Sequence, residues 1–365
     1  MIGKIGGGFL LAFPCRPPSL HSMPAPSASA PSSVKLPDVF RRLSPQMAAL
    51  DRFMQDQVGS FEQEIRGMAA YCLESSGKRL RPTLVFVSGW RGDGVVDDAL
   101  VRAAGVVEMV HLATLVHDDI MDRAALRRNR GTAAHEFGPD AAVLLGDALF
   151  SQALHVASQF PTTEVCRLVS ESTRKVCSGE IMQTLHRREL TVSRDDYWRV
   201  IDLKTAELFR VSCFLGARLA GFPPDFVKSA NDFGRHLGIA YQIYDDLVDF
   251  LGEEKNIGKT LGTDLASGKL TLPLMLLLER LSAQDRSELA AALQGGKPLP
   301  LSASVERMKA LGIADGVAAA IDEELGRARG VLAPYASLEP VPLMLQLTEL
   351  LKAQLTALYS GAAKP

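Results

Sequence analysis

The dominant pattern along the chain is the recurrence of apolar and small residues every three or four positions. This spacing runs through long stretches from Leu36 onward, whereas the alternation typical of half-buried strands is almost absent. Glycine and proline separate the stretches, as in GFPPD (221–225) and GGKPLPLS (295–302). The pattern therefore predicts helices over 43–74, 79–91, 97–122, 139–159, 162–179, 195–220, 224–250, 270–282, 303–333 and 338–358.

The composition around these helices is that of an ordinary globular protein. Hydrophobic residues make up 47% of the sequence and the net charge is −2, so no basic face for nucleic acid is indicated. No stretch after the N-terminal region reaches the roughly 18 continuous apolar residues that a membrane span needs. We therefore predict one all-α domain over 37–365, with no internal repeat, no nucleic-acid partner and no membrane span.

Residues 1–36 differ in composition from the rest of the chain. The run MIGKIGGGFLLAF is apolar behind one lysine, and the segment after it is rich in Pro, Ser and Ala, which cannot bury a core. We expect a disordered or dispensable N-terminal extension. A targeting signal with a cleavage site at Ala28-Ser29-Ala30 is the alternative.

The cysteines are scattered along the chain without the spacing of a metal site. Their odd number argues against a disulfide framework. We expect reduced thiols in a cytoplasmic protein. The cysteines are Cys15, Cys72, Cys166, Cys177 and Cys213.

The first candidate site is an acidic cluster at the end of one predicted helix, in EMVHLATLVHDDIMD (108–122). Asp118 and Asp122 are four residues apart, so their carboxylates share one helical face about one turn apart. Asp119 projects roughly 100° away and supports the site from its flank. Three carboxylates this close repel one another unless a cation compensates, and Mg²⁺ prefers such oxygen ligands. Taken alone, the cluster is equally well explained as an exposed acidic helix end.

A second acidic cluster favours a metal site over an exposed helix end. YQIYDDLVDF (241–250) places Asp245, Asp246 and Asp249 on one face of another apolar helix. Two such clusters are hard to explain as solvated surface. Facing each other across a bundle, they predict a cage for several Mg²⁺ ions and a diphosphate. The predicted metal ligands are Asp118, Asp122, Asp245 and Asp249.

With further motifs, these clusters resemble those of the trans-isoprenyl (polyprenyl) diphosphate synthases. The matching stretches are GKRLRP (77–82), LRR (126–128), GEIMQ (179–183), KTA (204–206) and GKTLGTDLASGKLTLP (258–273). The likeness covers roughly residues 40 to 360 in the family's order and spacing, and the combination is far more specific than any single motif. It implies the isoprenoid-synthase helical bundle around a central apolar cavity. It also implies a homodimer and a Mg²⁺-dependent prenyltransferase with three ions per active site, similar to the medium- and long-chain, octaprenyl-like members.

A basic segment precedes the first acidic cluster. Lys78, Arg79 and Arg81 follow Gly77 near a predicted helix start, where a solvated loop is the ordinary explanation. Beside two metal-type sites, we favour a second anionic substrate bound directly by cations, because guanidinium groups grip phosphate oxygens bidentately. By resemblance, the isopentenyl diphosphate site consists of Lys78, Arg81, His111 and Arg128. A buried, hydrogen-bonded core histidine is the alternative for His111.

The resemblance also assigns an allylic diphosphate site. Lys204 lies within an apolar helical stretch, where a lysine is costly unless it has an anionic partner. Lys259 and Lys269 lie on a Gly-rich connection that is flexible enough to close over phosphates, although an ordinary surface lysine is the alternative for each. Gln183 and Asp264 are further candidates for shaping the pocket. The predicted allylic site residues are Arg127, Lys204, Thr205, Gln242, Lys259 and Lys269.

The loop after the first cluster departs from the family pattern. Where the family has RRGxPT, the chain continues after Arg127 with Arg128-Asn129-Arg130-Gly131-Thr132, so the glycine and proline are displaced or missing. The two arginines and Thr132 stay in register. Arg130 is a candidate for a further phosphate contact.

Together these features predict a head-to-tail condensation. Mg²⁺ and side-chain cations neutralise the allylic diphosphate as its C–O bond breaks. The double bond of isopentenyl diphosphate attacks the carbocation in an apolar cavity that excludes water. A proton leaves to the released diphosphate, and the product re-enters the cycle one isoprene unit longer. The residues assigned to catalysis are Asp118, Asp119, Asp122, Lys204, Asp245 and Asp246.

Product length is predicted from the residues one turn before Asp118. Ala113 and Thr114 are small, whereas short-chain members of the family often carry bulky aromatics there. We expect the tail to pass this level and the product to be roughly C30 to C50, with a geranylgeranyl or farnesyl product as the competitor. On this geometry Ala113→Phe should shorten the product. Candidates for a deeper floor are Val106, Met109, Leu149 and Phe150.

Two alternatives come from other functional classes. One is a non-catalytic subunit of a heteromeric prenyl synthase, and the other is a terpene cyclase of similar fold. Such subunits typically lose an acidic motif, and a cyclase binds no second diphosphate and would lack the GKRLRP segment. Both acidic clusters and the basic segment are present, so the synthase is favoured.

Overall fold

The computed structural model describes residues 37–74, 77–128, 130–252, 261–295 and 300–360. The predicted N-terminal extension (1–36), Asn129 and the predicted allylic-site residue Lys259 lie outside the described residues.

The described residues form helices almost throughout, which confirms the all-α prediction. The helices are α1 (Pro37–Arg42), α2 (Ser44–Ser60), α3 (Gln63–Glu74), α4 (Leu80–Ser88), α5 (Asp98–Met121), α6 (Ala133–Phe137), α7 (Pro139–Ser158), α8 (Glu164–Leu185), α9 (Arg194–Ile201), α10 (Glu207–Leu219), α11 (Pro224–Leu251), α12 (Thr263–Ser267), α13 (Leu272–Arg280), α14 (Ala283–Leu293), α15 (Leu301–Ala310), α16 (Ile313–Leu332) and α17 (Pro340–Ser360). A π-helical turn, Asp202–Ala206, joins α9 to α10, and a 3₁₀ turn, Ala333–Tyr335, follows α16. Two short strands, β1 (Leu126–Arg127) and β2 (Arg130–Gly131), pair antiparallel with Leu126 opposite Gly131.

The predicted helical stretches differ from these bounds mainly at their breaks. The stretch 43–74 divides at Phe61–Glu62, and 303–333 divides at Leu311–Gly312, where Gly312 takes a positive φ of 60°. Helix α8 continues to Leu185, past the predicted end at 179. Helix α14 lies in a segment for which no helix was predicted. The breaks were missed because apolar spacing continues across them while the backbone turns.

Helix α5 lies at the centre of the bundle. It packs against α4, α7 and α10, and α11 packs against α10 and α16 on the other side of the site. The apolar residues of α5 occur all around its circumference, as expected for a helix that is covered on most sides. The ends of α5 and α11 carry the two acidic clusters, so the core packing decides where those clusters meet.

Among the described residues, α5 and α7 are long and apolar enough, by length and composition alone, to cross a membrane. The relevant window of α5 is 72% buried inside the protein, as expected for a core helix of a globular bundle. The window of α7 is only 39% buried, so the described residues leave an apolar face of this helix uncovered.

Candidate active site

One cavity of about 1480 Å³ gathers the acidic clusters and the basic segment. It is bounded by the ends of α5 and α11, by α8 and the π-helical turn, and by the residues before α4. The predicted site residues that line it are Lys78, Arg81, His111, Thr114, Asp118, Asp119, Asp122, Arg127, Arg128, Lys204, Thr205, Gln242, Asp245, Asp246, Asp249 and Lys269. Ala113 does not line it.

Asp118 faces the most strongly charged part of the cavity wall. Its Oδ2 lies 3.8 Å from Nζ of Lys204, which also contacts the carboxylate of Glu180. Burial raises the pKa of Asp118 to about 6, with Glu180 and Asp122 adding to the rise and Lys204 opposing it. A further cation would stabilise the ionised form of this carboxylate. A metal ion bound together with a diphosphate would supply such a cation.

Asp119 is turned toward the hairpin that follows α5. It receives a two-pronged contact from Arg127, with Nε at 2.9 Å and Nη2 at 2.7 Å from Oδ1. Asp119 is 5% exposed, whereas the side chain of Arg127 is 35% exposed, so the arginine extends from a buried carboxylate toward the open cavity. Asp119 thus lies on the flank of the site, as predicted. Its contacts with the guanidinium group orient Arg127.

Asp122 is held by two cations from other parts of the chain. Arg187 Nη2 lies 2.6 Å from Oδ1, and Lys269 Nζ lies 3.0 Å from Oδ2. Burial opposes ionisation of Asp122, but Lys269 and Arg187 outweigh it and keep the pKa below its usual value. Arg187 was not predicted; the only signal for it is the basic run His186-Arg187-Arg188 just after α8.

Lys204 and Thr205 lie on the π-helical turn between α9 and α10. Such turns interrupt the regular helix and are frequent at functional sites. Lys204 Nζ donates to Oε1 of Gln183 at 2.9 Å and contacts Glu180, so the two polar residues of GEIMQ that line the cavity hold this lysine. Gly179 allows the approach, because a Cβ there would lie 2.7 Å from the backbone nitrogen of Lys204. Burial lowers the pKa of Lys204, but Asp118 and Glu180 outweigh this and raise it, so the lysine stays charged.

The second cluster contains a continuous hydrogen-bond chain. Oη of Tyr197 donates to Oδ2 of Asp246 at 2.7 Å, and Nε2 of Gln242 donates to Oδ1 at 2.7 Å. Oγ1 of Thr205 in turn donates to Oε1 of Gln242 at 2.6 Å. The chain therefore connects α9, α11 and the π-helical turn, and it fixes the side chains of two predicted allylic-site residues. Tyr197 was not predicted, because its role depends on a partner 49 residues away.

We expect Tyr197→Phe to weaken binding of the allylic substrate. The phenol is buried, and both burial and Asp246 raise its pKa, so it remains protonated and donates at any working pH. Removing the hydroxyl leaves Asp246 one donor short, at about 1–3 kcal/mol, and frees Gln242 to reorient. We predict a rise of about tenfold in KM for the allylic diphosphate with little change in KM for isopentenyl diphosphate. Equal effects on the two KM values would contradict this assignment.

The basic subsite lies beside the start of α4. Arg81 is half-buried and lies over the ring of Phe209, with 5.1 Å from Cζ to the ring centroid, and its Nη1 lies 2.9 Å from Nε2 of His111. Burial and three nearby arginines lower the pKa of His111, so the imidazole is neutral and accepts from Arg81. Burial lowers the pKa of Arg81, and Glu108, which is 2% exposed, opposes this more than any other charged group. His111 therefore lines the cavity and is also hydrogen-bonded to Arg81.

Gly77 brings Arg128 into the same subsite. A Cβ at position 77 would lie 2.2 Å from the guanidinium carbon of Arg128, so the arginine lies directly over the glycine. Lys78 and Arg81 line the cavity beside them. The predicted isopentenyl diphosphate residues are therefore brought together from three separate segments.

We expect Gly77→Ala to impair this subsite without unfolding the protein. The methyl group must displace the guanidinium of Arg128, which is the far end of a flexible side chain and moves at little cost to the fold. One charge-assisted phosphate contact is worth about 1.5–3 kcal/mol, so KM for isopentenyl diphosphate should rise about tenfold or more. Thermal denaturation should be nearly unchanged, and Gly67→Ala, where a Cβ meets nothing within 4 Å, is the matched control.

The hairpin β1–β2 replaces the loop in which the sequence departs from the family pattern. Arg130 lies over the ring of Tyr71, 4.3 Å from its centroid, and its Nη1 lies 3.3 Å from Glu74. Oη of Tyr71 donates to the carbonyl oxygen of Gly131 at 2.8 Å. Arg130 therefore braces the hairpin against α3 and does not line the cavity, so the expected further phosphate contact from Arg130 is not found.

The chain-length prediction needs a geometric correction. Ala113 is 0% exposed and packs in the core, whereas Thr114 and Leu115 line the cavity. Thr114 precedes Asp118 by four residues, or about 40° around the helix, while Ala113 precedes it by five, or about 140°. Of the candidates for a deeper floor, Phe150 lines the cavity, and Val106, Met109 and Leu149 are buried elsewhere in the core.

The carboxylates fit a divalent cation that prefers oxygen. Asp118, Asp122 and Asp245 line one cavity from two facing helices. Within the described part of the chain, no three carboxylate, imidazole or thiol groups are close enough to enclose a metal by themselves. Mg²⁺ is usually held in this way, by one or two carboxylates with substrate phosphates and water completing the shell. The donor set therefore suits Mg²⁺ bound together with a diphosphate.

The chain is similar in sequence and in fold to several known proteins. The family model for polyprenyl synthetase matches residues 62–308. Octaprenyl diphosphate synthase of Escherichia coli is 32% identical over 287 residues, covering 78% of this chain and 88% of that one. A short chain isoprenyl diphosphate synthase of Methanothermobacter thermautotrophicus is 31% identical, covering 74% and 83%. The crystal structure of a polyprenyl synthase from Caulobacter crescentus, complexed with calcium and isoprenyl diphosphate, superposes with a TM-score of 0.82 at 27% identity, covering 88% and 98%.

Proposed function

The chain belongs to the polyprenyl synthetase family, and on that premise we propose that it joins isopentenyl diphosphate head to tail to an allylic diphosphate, in the trans configuration. The product is a polyprenyl diphosphate of medium or long chain. The observation that carries this proposal is one cavity lined by both carboxylate clusters, by a separate cationic subsite and by apolar side chains.

The chain's own residues support the first half of the reaction. When bound by Asp118, Asp122 and Asp245, Mg²⁺ would neutralise the allylic diphosphate and favour its departure. Lys204 remains charged beside Asp118 and adds positive potential where negative charge grows as the C–O bond breaks. Thr205 and Gln242 are fixed by the hydrogen-bond chain from Tyr197 and orient the same diphosphate.

The second half uses the basic subsite. Arg81, Arg128 and Lys78 bind isopentenyl diphosphate without a metal, and neutral His111 holds Arg81 in place. The double bond of the bound substrate then faces the allylic carbon across the apolar floor of the cavity. After the new C–C bond forms, a proton leaves to the released diphosphate, and the extended product moves its tail deeper.

The product length follows from the wall beside Asp118. Thr114 is small, and Phe150 of α7 and Cys177 of α8 line the same cavity. A bulky residue at the level of Thr114 would stop the tail within a few isoprene units. The small side chain supports a product of roughly C30 to C50, and the octaprenyl relative points the same way. The short-chain relative makes geranylgeranyl diphosphate the competing product.

The direct test is an assay of the purified full chain. Labelled isopentenyl diphosphate is incubated with farnesyl diphosphate and Mg²⁺, and the dephosphorylated products are sized. We expect extension well beyond C20, and products no longer than C20 would remove the long-chain proposal. No incorporation by the chain alone, with incorporation restored by a second protein, would instead favour a subunit of a heteromeric synthase.

We also propose that two copies of the chain associate through α7 and the end of α8. Large apolar side chains there are exposed, with Leu144 at 67%, Ile181 at 58% and Leu185 at 69%. An uncovered apolar surface of this kind is typical of an interface between subunits. Sedimentation of the full chain should give a dimer, and a monomer at micromolar concentration would contradict this proposal.

A further inference from the structure

The third carboxylate of the second cluster, Asp249, is hydrogen-bonded to the segment that follows α11. Asp249 is 2% exposed, and both of its oxygens accept hydrogen bonds from the start of α12. Oδ1 accepts from Oγ1 of Thr263 at 3.0 Å and from its backbone nitrogen at 3.3 Å. Oδ2 accepts from the backbone nitrogen of Asp264 at 3.0 Å. Protein donors thus use three of the roughly four lone-pair sites of this carboxylate, including both sites of Oδ1.

The same residue fixes the loop through its backbone. The carbonyl oxygen of Asp249 accepts from the nitrogen of Gly262 at 2.9 Å, so the chain is tied to α11 just before α12 begins. Gly262 adopts a positive φ of 72°, which lets the backbone turn sharply toward the carboxylate. Four donors from three consecutive residues therefore converge on one aspartate.

The held loop carries Lys269 to the opposite cluster. The backbone nitrogen of Lys269 donates to the carbonyl oxygen of Asp264 at 2.9 Å, so its position follows that of α12. Its side chain is 12% exposed, and Nζ lies 3.0 Å from Oδ2 of Asp122. A continuous series of contacts thus leads from Asp249 in the second cluster to Asp122 in the first.

We propose that Asp249 is a positioning residue that locks residues 262–269 in place and aims Lys269 at the diphosphate, and is not a metal ligand. The proposal rests on the proposed function for the identity of the diphosphate site. It divides the second cluster by role: Asp245 faces the metal and substrate, while Asp249 holds the loop. It also gives Thr263 a positioning role, because its hydroxyl and its backbone nitrogen both donate to Asp249.

The test compares Asp249→Asn and Thr263→Val with the conservative Thr263→Ser. An asparagine has one acceptor oxygen, and its amide would oppose one of the loop N–H groups; valine removes only the hydroxyl donor. Hydrogen exchange of amides 263–266 is measured in the full chain, with inorganic pyrophosphate and Mn²⁺ as probes of the site. We expect faster exchange and about tenfold weaker pyrophosphate binding for the first two variants, and wild-type behaviour for Thr263→Ser.

Metal stoichiometry separates the two roles. At saturating pyrophosphate, the number of bound Mn²⁺ ions counted by electron paramagnetic resonance should be the same in Asp249→Asn and the wild type. Loss of one Mn²⁺ from Asp249→Asn, or wild-type exchange in Thr263→Val, would overturn the proposal. If Asp249→Asn fails to fold, Thr263→Val alone decides. Because hydrogen exchange needs no turnover, a failure to make polyprenyl products would count against the proposed function and not against this role.

Discussion

Lys204→Met is expected to reduce turnover about a hundred- to a thousand-fold. The ammonium group of Lys204 lies 3.8 Å from Asp118 and also contacts Glu180 and Gln183, at the point where the departing diphosphate gains charge. A preorganised cation there is worth most in the transition state, so kcat should fall far more than KM for isopentenyl diphosphate rises. Methionine keeps the length of the side chain and removes the charge. The rate constant of product formation under single-turnover conditions measures the effect directly.

Lys175→Met is the matched control for this prediction. Lys175 lies on α8 and pairs with Glu171 at 3.0 Å and with Glu207 at 3.5 Å, but it does not line the cavity. It tests the removal of a lysine from a carboxylate network outside the site. We expect turnover within about twofold of the wild type, because a partly exposed ion pair contributes little. A similar loss in both variants would show that the effect of Lys204→Met reflects altered folding.

The acidic clusters could be predicted from sequence because they depend on helical geometry alone. Four-residue spacing placed Asp118 and Asp122 together, and a rotation of roughly 100° placed Asp119 on the flank. The structure brings all three into one cavity. Helical geometry was sufficient here because the three side chains share one helix. The apolar residues around both clusters also required that both helices be buried within the bundle.

The partners of those carboxylates could not be predicted in the same way. Arg187 meets Asp122 across 65 residues, and Tyr197 meets Asp246 across 49. These contacts depend on the packing of α8 and α9 against the site, and apolar spacing does not specify that packing. The π-helical turn was also missed, because one inserted residue leaves the apolar pattern on either side almost unchanged.

Ala113 shows how a local rule was misapplied. It was grouped with Thr114 as lying one turn before Asp118, although a fifth residue adds about 100° to the rotation. The structure places Ala113 in the core at 0% exposure. Ala113→Phe is therefore expected to overpack the core, at about 1–3 kcal/mol of stability, instead of shortening the product.

Thr114→Phe is the variant that should shorten the product. Thr114 lines the cavity one turn before Asp118, and its hydroxyl donates only to the carbonyl oxygen of His111, 2.7 Å away within the same helix. A phenyl ring there projects into the path between Asp118 and Phe150, so the tail meets a wall after the first few condensations. We expect the main product to fall from roughly C30 or more to roughly C15–C20, with the rate of the first condensation nearly unchanged.

Thr114→Val is the control that separates size from chemistry. Valine matches threonine in shape and loses the hydroxyl, so its products should have wild-type length if the space beside Asp118 decides where growth stops. Both variants are assayed with farnesyl diphosphate and labelled isopentenyl diphosphate, and the dephosphorylated products are sized. If Thr114→Phe still makes full-length product, the tail does not pass along this face of α5. The floor would then have to be sought on the facing helices, at Cys177 or Ile181 of α8, which line the cavity from the other side.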